Sequence, residues 1–433
     1  MCIILWLTLL SQTVCAELTG TWEHEAAVAI DGSNTAGQKF ESIIVPELSV
    51  PLSNNIDMTV IARLRLDTYD ELGYKGERLS SDSSINAPLS EGSHRDMSIR
   101  EWHFDTEIFN TYWRIGKQQV VWGQADGLKV LDVVNPQSYR EFILDKFADS
   151  RTPLWMLNVE VPVGDNDSLQ LLWIPDTTYN ELAIAGSVYE FTSALIVPQQ
   201  IEGTTLIDIN VDKPSGAGKG DIGLRYSKFS SGWDLTFNYL YHFHDNPVFY
   251  QRVDGNNVTI DAKYKRNHLL GATASKAFGS FILRAEAGYS SDTYHLLNNT
   301  SPDFVENTGV HPSDEFSSVI GLDYQGIENT LLSMQWFQST LFDYNHDLVR
   351  PERNHIVSWL YRQYFHNETW ELEILALYGL DKKESLFQAE LSYMLESNIK
   401  VWIGADVISG PRESLFGQFD HTDRFLFGVE WGY

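Results

Sequence analysis

The chain has 433 residues, a formal net charge of −28 and a hydrophobic share of 43%, ordinary for a water-soluble protein. No stretch beyond the first residues approaches the roughly 18 consecutive apolar residues of a spanning helix, which excludes a helical membrane protein. The acidity excludes nucleic acid as a partner, because its phosphates would be repelled, and the aromatic share of 13%, with 20 Tyr and 13 Trp, suits a surface meeting a membrane–water boundary.

Residues 1–16, MCIILWLTLLSQTVCA, hold an apolar core from Ile3 to Leu10 and close on Val14-Cys15-Ala16, a small-residue cleavage site. They read as a signal peptide, with the mature chain beginning near Glu17. No Lys or Arg precedes the apolar core, which would fit a true translation start upstream of Met1. A lipoprotein is the alternative at Cys15, but Gln12 and Val14 stand where a lipobox wants an aliphatic and a small residue. Both cysteines, Cys2 and Cys15, fall inside this leader, so disulfides and Cys-ligated metals are excluded from the mature chain. The leader carries no charged side chain, so the acidity belongs to the rest. Solvated loops account for it most simply; a cation-favouring pore, or divalent ions bridging loops to anionic surface lipid such as lipopolysaccharide, are sharper accounts.

The N-terminal half then offers seven stretches of strand character: Trp22 to Ile30, Phe40 to Val50, Ile56 to Leu66, Ile99 to Ile108, Tyr112 to Gln118, Leu154 to Val161 and Leu169 to Trp173. Phe40 to Val50, with Pro46 inside it, and Leu154 to Val161 are the weakest. Between the fifth and sixth lies Val120 to Pro153, beginning VVWGQADGLKVLDVVNPQSYREF, too long for a plain turn. Its Leu128, Val130, Leu131, Val133 and Val134 need burial, and the inner wall of a barrel is the nearest surface. Residues 120–153 are therefore a candidate constriction or plug loop carrying Trp122, Asp126, Lys129, Asp132, Arg140, Asp145, Asp149 and Arg151, with an ordered external cap as the alternative.

From about Asp221 onward one parity is apolar and the other polar, the period-two mark of a sheet with unlike faces. Trp233, Leu235, Phe237, Tyr239, Tyr241 and Phe243 alternate with Asp234, Thr236, Asn238, Leu240 and His242. Phe281, Leu283, Ala285, Ala287 and Tyr289 oppose Arg284 and Glu286; Trp370, Leu372, Ile374, Ala376 and Tyr378 oppose Glu371 and Glu373. The pattern persists through Phe387 to Leu395 and Val401 to Val407. A soluble sandwich alternates too. Here, however, short turns (Lys228 to Gly232, Phe278 to Ser280, Phe365 to Glu368, Glu396 to Asn398) alternate with long acidic links (Asp245 to Lys265, Ser290 to Asp314, Asp343 to Arg353). Short on one rim and long on the other is the habit of outer-membrane barrels.

Counting back from Tyr433 gives about eleven strands to Asp221, and the seven before make about eighteen, an even total; loss of a weak candidate would give about sixteen. The expected fold is an all-β, transmembrane, antiparallel up-and-down barrel, a single domain over residues 17–433 with an inward-folded or capping loop. The last strand sets Phe425, Phe427, Val429, Trp431 and Tyr433 on one face. Its Gly428, Trp431 and Tyr433 resemble the insertion signal read by the outer-membrane barrel-assembly machinery, and Phe427 departs from it, since a polar residue is usual there.

On the inner parity, Arg63, Arg65, Glu101, His103, Asp105, Glu107, Arg114, Arg284, Glu286, Glu371, Glu373, Glu390 and Arg424 would line the lumen, where water or opposite charge meets them. Cross-strand ion pairing is the simpler role for most of them. No Gly-x-Ser-x-Gly elbow, His-Glu-x-x-His or phosphate loop is present, so no catalytic residue and no cofactor is expected. Asp343, Asn345, His346 and Asp347, or His311, Asp314 and Glu315, offer oxygens for Ca²⁺, although their spacing matches no defined calcium loop and solvated loops explain them better.

The run from Gly116-Lys117-Gln118-Gln119-Val120-Val121-Trp122-Gly123 through Asp126-Gly127 to Asp132-Val133-Val134-Asn135-Pro136, with Arg284-Ala285-Glu286 and Phe416-Gly417-Gln418, resembles a proteobacterial outer-membrane family. That family is domain of unknown function 1302, similar in style to alginate-export porins. The resemblance implies localisation in the outer membrane of a Gram-negative bacterium. It also implies association with a periplasmic lipoprotein-like partner and an inner-membrane exporter of the resistance-nodulation type, and so movement of a hydrophobic or lipid-like compound. The expected function is a monomeric, porin-like channel or transporter for a small solute or such a compound. A surface receptor or adhesin is the alternative, and an outer-membrane hydrolase the third reading.

Overall fold

A computed structural model describes residues 16–30, 37–69 and 81–433; the leader expected over residues 1–16 lies outside them except for Ala16. Alternating sequence becomes strand because each second side chain meets lipid and each intervening one meets the interior, and only a closed ladder leaves no backbone group unpaired in hydrocarbon. Eighteen strands make that ladder. In chain order they are β1 (Glu17–Ala29), β2 (Gly37–Ser53), β3 (Ile56–Asp67), β4 (Arg95–Ile108), β5 (Thr111–Gln118) and β6 (Leu154–Val163). Next come β7 (Asp167–Ile174), β8 (Asp221–Ser230), β9 (Trp233–Phe243), β10 (Arg266–Phe278), β11 (Phe281–Leu296) and β12 (Val310–Tyr324). The ring ends with β13 (Thr330–Leu341), β14 (Arg353–Phe365), β15 (Trp370–Gly379), β16 (Glu384–Glu396), β17 (Ile399–Ser409) and β18 (Arg424–Gly432).

Each strand pairs antiparallel with its chain neighbours, and β1 closes on β18 from Thr21–Gly432 to Ala29–Arg424. The expected seven strands before Asp221 and eleven after it are all present. A short strand, Ser90–Gly92, adds to β4, and Thr205–Asp212, Val248–Asp254 and Asn257–Lys263 form a separate three-stranded sheet in the outer links. The faces divide as the alternation requires: Phe237 is 53% exposed while Thr236 and Asn238 are 1% and 4% exposed. No helix among the described residues is long and apolar enough to cross a membrane; the crossing is made by strands.

The first and last strands meet at one rim, where Gly20 and Tyr433 exchange two backbone hydrogen bonds of 3.0 and 3.1 Å. Phe109 and Asn110, with φ of 51° and 60°, make a tight hairpin turn on the same rim. The connections depart from the sequence reading at three places. Lys228 to Ser230 continue β8, leaving Ser231 and Gly232 as the turn. Ser290 to Asp314 is not one long link, because past a bulge at Ser291–Asp292 the ladder resumes from Thr293–Ser313 to Leu296–Val310. The outer link between β15 and β16 spans only residues 380–383.

Candidate functional site

β5 ends at Gln118 and β6 begins at Leu154, and these two residues are partners in the wall. Everything between them turns into the lumen. Asn135 fixes the base of this excursion: its Oδ1 accepts from Val120 N at 2.7 Å, and its Nδ2 donates to Gln118 O and Thr152 O. Five apolar residues in a polar segment would be unstable in water, and the inner wall supplies their burial.

The first half crosses to β7–β13. Trp122 is fully buried, with its indole donating to Gln170 at 2.9 Å. Leu131 seats in a hollow made by two paired wall glycines: a Cβ on Gly271 would lie 2.6 Å from Leu131 Cδ2, and one on Gly288 3.0 Å. Gly271→Leu is expected to expel Leu131 and to cost about 1–3 kcal/mol in denaturant unfolding; an unchanged unfolding curve would show that the hollow does not matter. Glu286 accepts from the backbone N–H groups of Gln124 and Leu131. Arg284 pairs with Asp126 and, at 2.9 Å, with Asp323, while Gln335 both accepts from Asp126 N and donates to its carboxylate.

The second half reaches the opposite wall. Arg140 binds Glu41 on β2 at 2.5 Å, with Arg65 of β3 3.7 Å from the same carboxylate. Glu141 binds Lys39 of β2 at 2.7 Å and Arg424 of β18 at 2.8 Å, and Arg424 also holds Asp406 at 2.7 Å. All of these groups are nine-tenths or more buried. Burial alone would lift the Glu141 carboxyl, but Lys39, Arg424 and Arg140 outweigh it and hold it well below the usual carboxylate range. Within the segment, Asp132 takes Arg151 at 2.7 Å with Lys129 at 3.7 Å, and Arg100 of β4 donates to the backbone oxygens of Asp149 and Arg151.

Residues 120–153 therefore bridge the lumen from β2 and β18 to β11 and β13. Tyr189 and Phe191 of the β7–β8 link and Phe416 and Phe419 of the β17–β18 link pack around Phe142, against Val319, Phe337, Ile356, Leu377, Leu386 and Ile408 of the wall. Between the segment and β12–β14 remains a cavity of about 400 Å³. Leu128, Val130, Phe142, Phe191, Phe337 and Ile356 form its apolar side; Lys129, Asp145, Glu315 and Arg350 form its polar side. The periplasmic mouth holds a second, polar hollow lined by Asp57, Asp105, Glu107, Arg114 and Glu160.

The family model described as "Protein of unknown function (DUF1302)" matches residues 101–400. The chain belongs to that family. No curated protein matches it in sequence. Among solved structures the DUF1302 chain is similar in fold to OccAB1 of Acinetobacter baumannii, with 8% identity, 96% of each chain covered and a TM-score of 0.55. It is likewise similar to OccAB2 of the same organism, with 12% identity, 97% of this chain and 98% of the other covered and a TM-score of 0.54. OccK1 (OpdK) of Pseudomonas aeruginosa has 11% identity, the same coverage and a TM-score of 0.53.

The DUF1302 barrel brings the expected site residues into separate groups. Asp126 joins Arg284, while Glu286 receives the segment's backbone; Lys129, Asp132 and Arg151 form a second group; Arg65, Arg140 and Arg424 share the Glu41–Glu141 network. Arg63 faces Asp96 at 3.6 Å, and Glu101 accepts from Gln119. Asp105 with Arg114, and Glu371 and Glu373 with Arg362, lie apart as wall ion pairs. Gly428 leaves room for the Trp402 ring, whose indole donates to Glu25. The Trp431 and Tyr433 rings lie 5.6 Å apart at the closing seam, tilted by 50°. The loop oxygens do not converge: Glu315 turns inward to Arg350, while Asp314 binds Tyr289. Among the described residues no cluster of three His, Cys, Asp or Glu is placed to hold a metal.

Lys39, Glu41, Arg100 and Glu141 escaped the sequence reading. Lys39 and Glu41 sit on the inner parity of the Pro46-bearing strand, a signal available in principle. Arg100 is aimed inward by a bulge opposite Ile61–Ala62, which alternation alone does not reveal.

Asp145 makes the segment pH-sensitive. Burial, and after it the Glu141 carboxylate, push its carboxyl up to about 7. The fold thus favours its protonated form, so its contribution is complete below about pH 4 and is lost as pH rises through about 7. Protection of residues 120–153 from added protease is expected to be greater at pH 5 than at pH 8. Asp145→Asn should abolish that difference; an Asn variant that keeps it would assign the effect elsewhere.

Proposed function

We propose that this DUF1302 protein is a channel in the outer membrane of a Gram-negative bacterium, passing a small amphipathic or hydrophobic compound through a lumen narrowed by residues 120–153. The observation that carries this reading is the cavity of about 400 Å³ left between the bridging segment and the wall, apolar on one side and charged on the other. A water-filled pore for salts and sugars would be lined by polar groups throughout. Here the inner parity near the outer rim is Val, Phe, Ile and Leu. OpdK of Pseudomonas aeruginosa, alike in fold, has been crystallised with vanillate, and we propose for the present chain a solute of similar or greater apolar character.

Planar-bilayer recording with amphipathic solutes tests this. The purified barrel is expected to show discrete ion conductance that such a solute blocks from one side. A barrel that neither conducts nor responds to any amphiphile would refute the reading. One observation favours a surface receptor as a second reading: the outer strand Thr205–Asp212 is exposed along its whole length, including Leu206, Ile207, Ile209 and Val211. Cell binding to a partner, lost on exchange of residues 205–212 with conductance unchanged, would support it.

A further inference from the structure

The barrel wall is lower where the inward segment leaves it. The ladder between β4 and β5 stops at Trp102–Lys117, and that between β5 and β6 at Gln118–Leu154, while β4 runs on to Arg95. At about 3.3 Å per residue and a tilt near 40°, the tops of β5 and β6 stand about 18–23 Å above the opposite turns, below the upper edge of a roughly 25 Å apolar band. The wall thus has a notch at the level of the outer leaflet.

Residues 81–89 strap this notch from the outside. At one end Leu89 N donates to Met97 O of β4 at 2.8 Å; at the other Tyr179 N donates to Ser81 O at 3.0 Å. Between these ends the fastenings described are side-chain bonds. Trp155 Nε1 donates to Ile85 O at 2.8 Å, Asn86 Nδ2 to Pro153 O at 3.0 Å, and Ser83 Oγ to Asp176 at 2.6 Å. The strap turns Ile85 (55% exposed) and Leu89 (62%) outward, a surface that belongs against lipid rather than water.

Lys117 lies beneath it. As the partner of Trp102 and Trp155 it stands on the outward face, yet it is only 6% exposed, and its ammonium donates to the carbonyl of Ile99 at 2.6 Å. A lysine on the lipid face of a barrel is destabilising near the bilayer midplane, and one carbonyl uses only one of its three protons. Inside the notch the first residues are Val120, Leu154 and Met156, which pack with Leu131; Val130 packs both with this cluster and with the one around Phe142, and it lines the cavity. An apolar path thus runs from strap to cavity.

We propose that the notch is a lateral portal by which an amphiphile with an anionic head passes between the lumen and the outer leaflet, with residues 81–89 as its cover and Lys117 as the contact for the head. This rests on the channel reading and adds the route. The absence of Cys outside the leader makes the test clean. In proteoliposomes of the refolded protein, a membrane-dissolved, diazirine-bearing long-chain carboxylate and its methyl ester are photolysed, and the labelled peptides are identified.

Both probes are expected to label residues 120–131. Cross-linking Asn86→Cys to Pro153→Cys should reduce that labelling several-fold, with recovery on reduction. Asn86→Ala with Trp155→Phe should increase it. Lys117→Met should reduce labelling by the carboxylate and spare the ester; equal effects on both would remove the head-group role. Unchanged inner labelling in the cross-linked barrel, or none in the parent, overturns the portal while conductance leaves the channel standing. Absence of conductance refutes the channel itself.

Discussion

Glu141→Lys is expected to detach the second half of the inward segment from the wall and to raise ion conductance several-fold. The parent carboxylate holds two strands at opposite ends of the chain, through Lys39 of β2 and Arg424 of β18. A lysine there would face Lys39, Arg140 and Arg424 at an almost wholly buried position. Removing one partner of a buried ion pair costs about 3–5 kcal/mol, and reversing its sign costs more. The ladder does not pass through Glu141, so the loss falls on docking of the segment rather than on barrel closure. Conductance at the parental level, with residues 139–146 still protected from protease, would contradict this anchoring role.

How far the sequence reveals such features depends on the length scale of the interaction. Barrel closure is local and repeated: each hairpin writes its lipid face into alternate residues, so Phe237 against Thr236, or Ile403 against Trp402, can be read without knowing any distant partner. The strand total and the inward parity of Arg284, Glu286 and Arg424 follow from that regularity. The site depends instead on encounters between residues hundreds of positions apart, as in Glu141 with Arg424, and no periodicity encodes them. Two local irregularities also hide it. The bulge at Arg100 breaks parity, and the one at Ser291–Asp292 disguises continued strand as loop. The apolar outer half of the lumen is harder still, because Val319, Phe337, Ile356, Leu377, Leu386 and Ile408 occupy inner positions and blur the alternation they belong to. Such residues are compatible with an inner wall only where another segment covers them.

Excising residues 124–150 and joining the ends through a short Gly/Ser link is expected to leave a folded barrel with conductance well above that of Glu141→Lys. The wall charges that bind the segment mostly have a second partner within the wall: Arg284 keeps Asp323 at 2.9 Å, Arg424 keeps Asp406 at 2.7 Å and Lys39 keeps Glu25 at 3.0 Å. Glu286 loses its backbone donors, and it would then face water rather than protein. The main penalty is hydration of the inner apolar wall, about 25 cal/mol per Å² of newly exposed surface, spread over strands whose ladders remain intact. Because a closed ladder holds each strand through both neighbours, that penalty should lower the unfolding midpoint without opening the barrel. Leu128, Val130 and Phe142 leave the cavity's apolar side with the segment and open what remains of it, so amphiphile block should vanish even as ion flow rises. If ion flow rose while block persisted at parental concentrations, the solute site would lie elsewhere in the lumen.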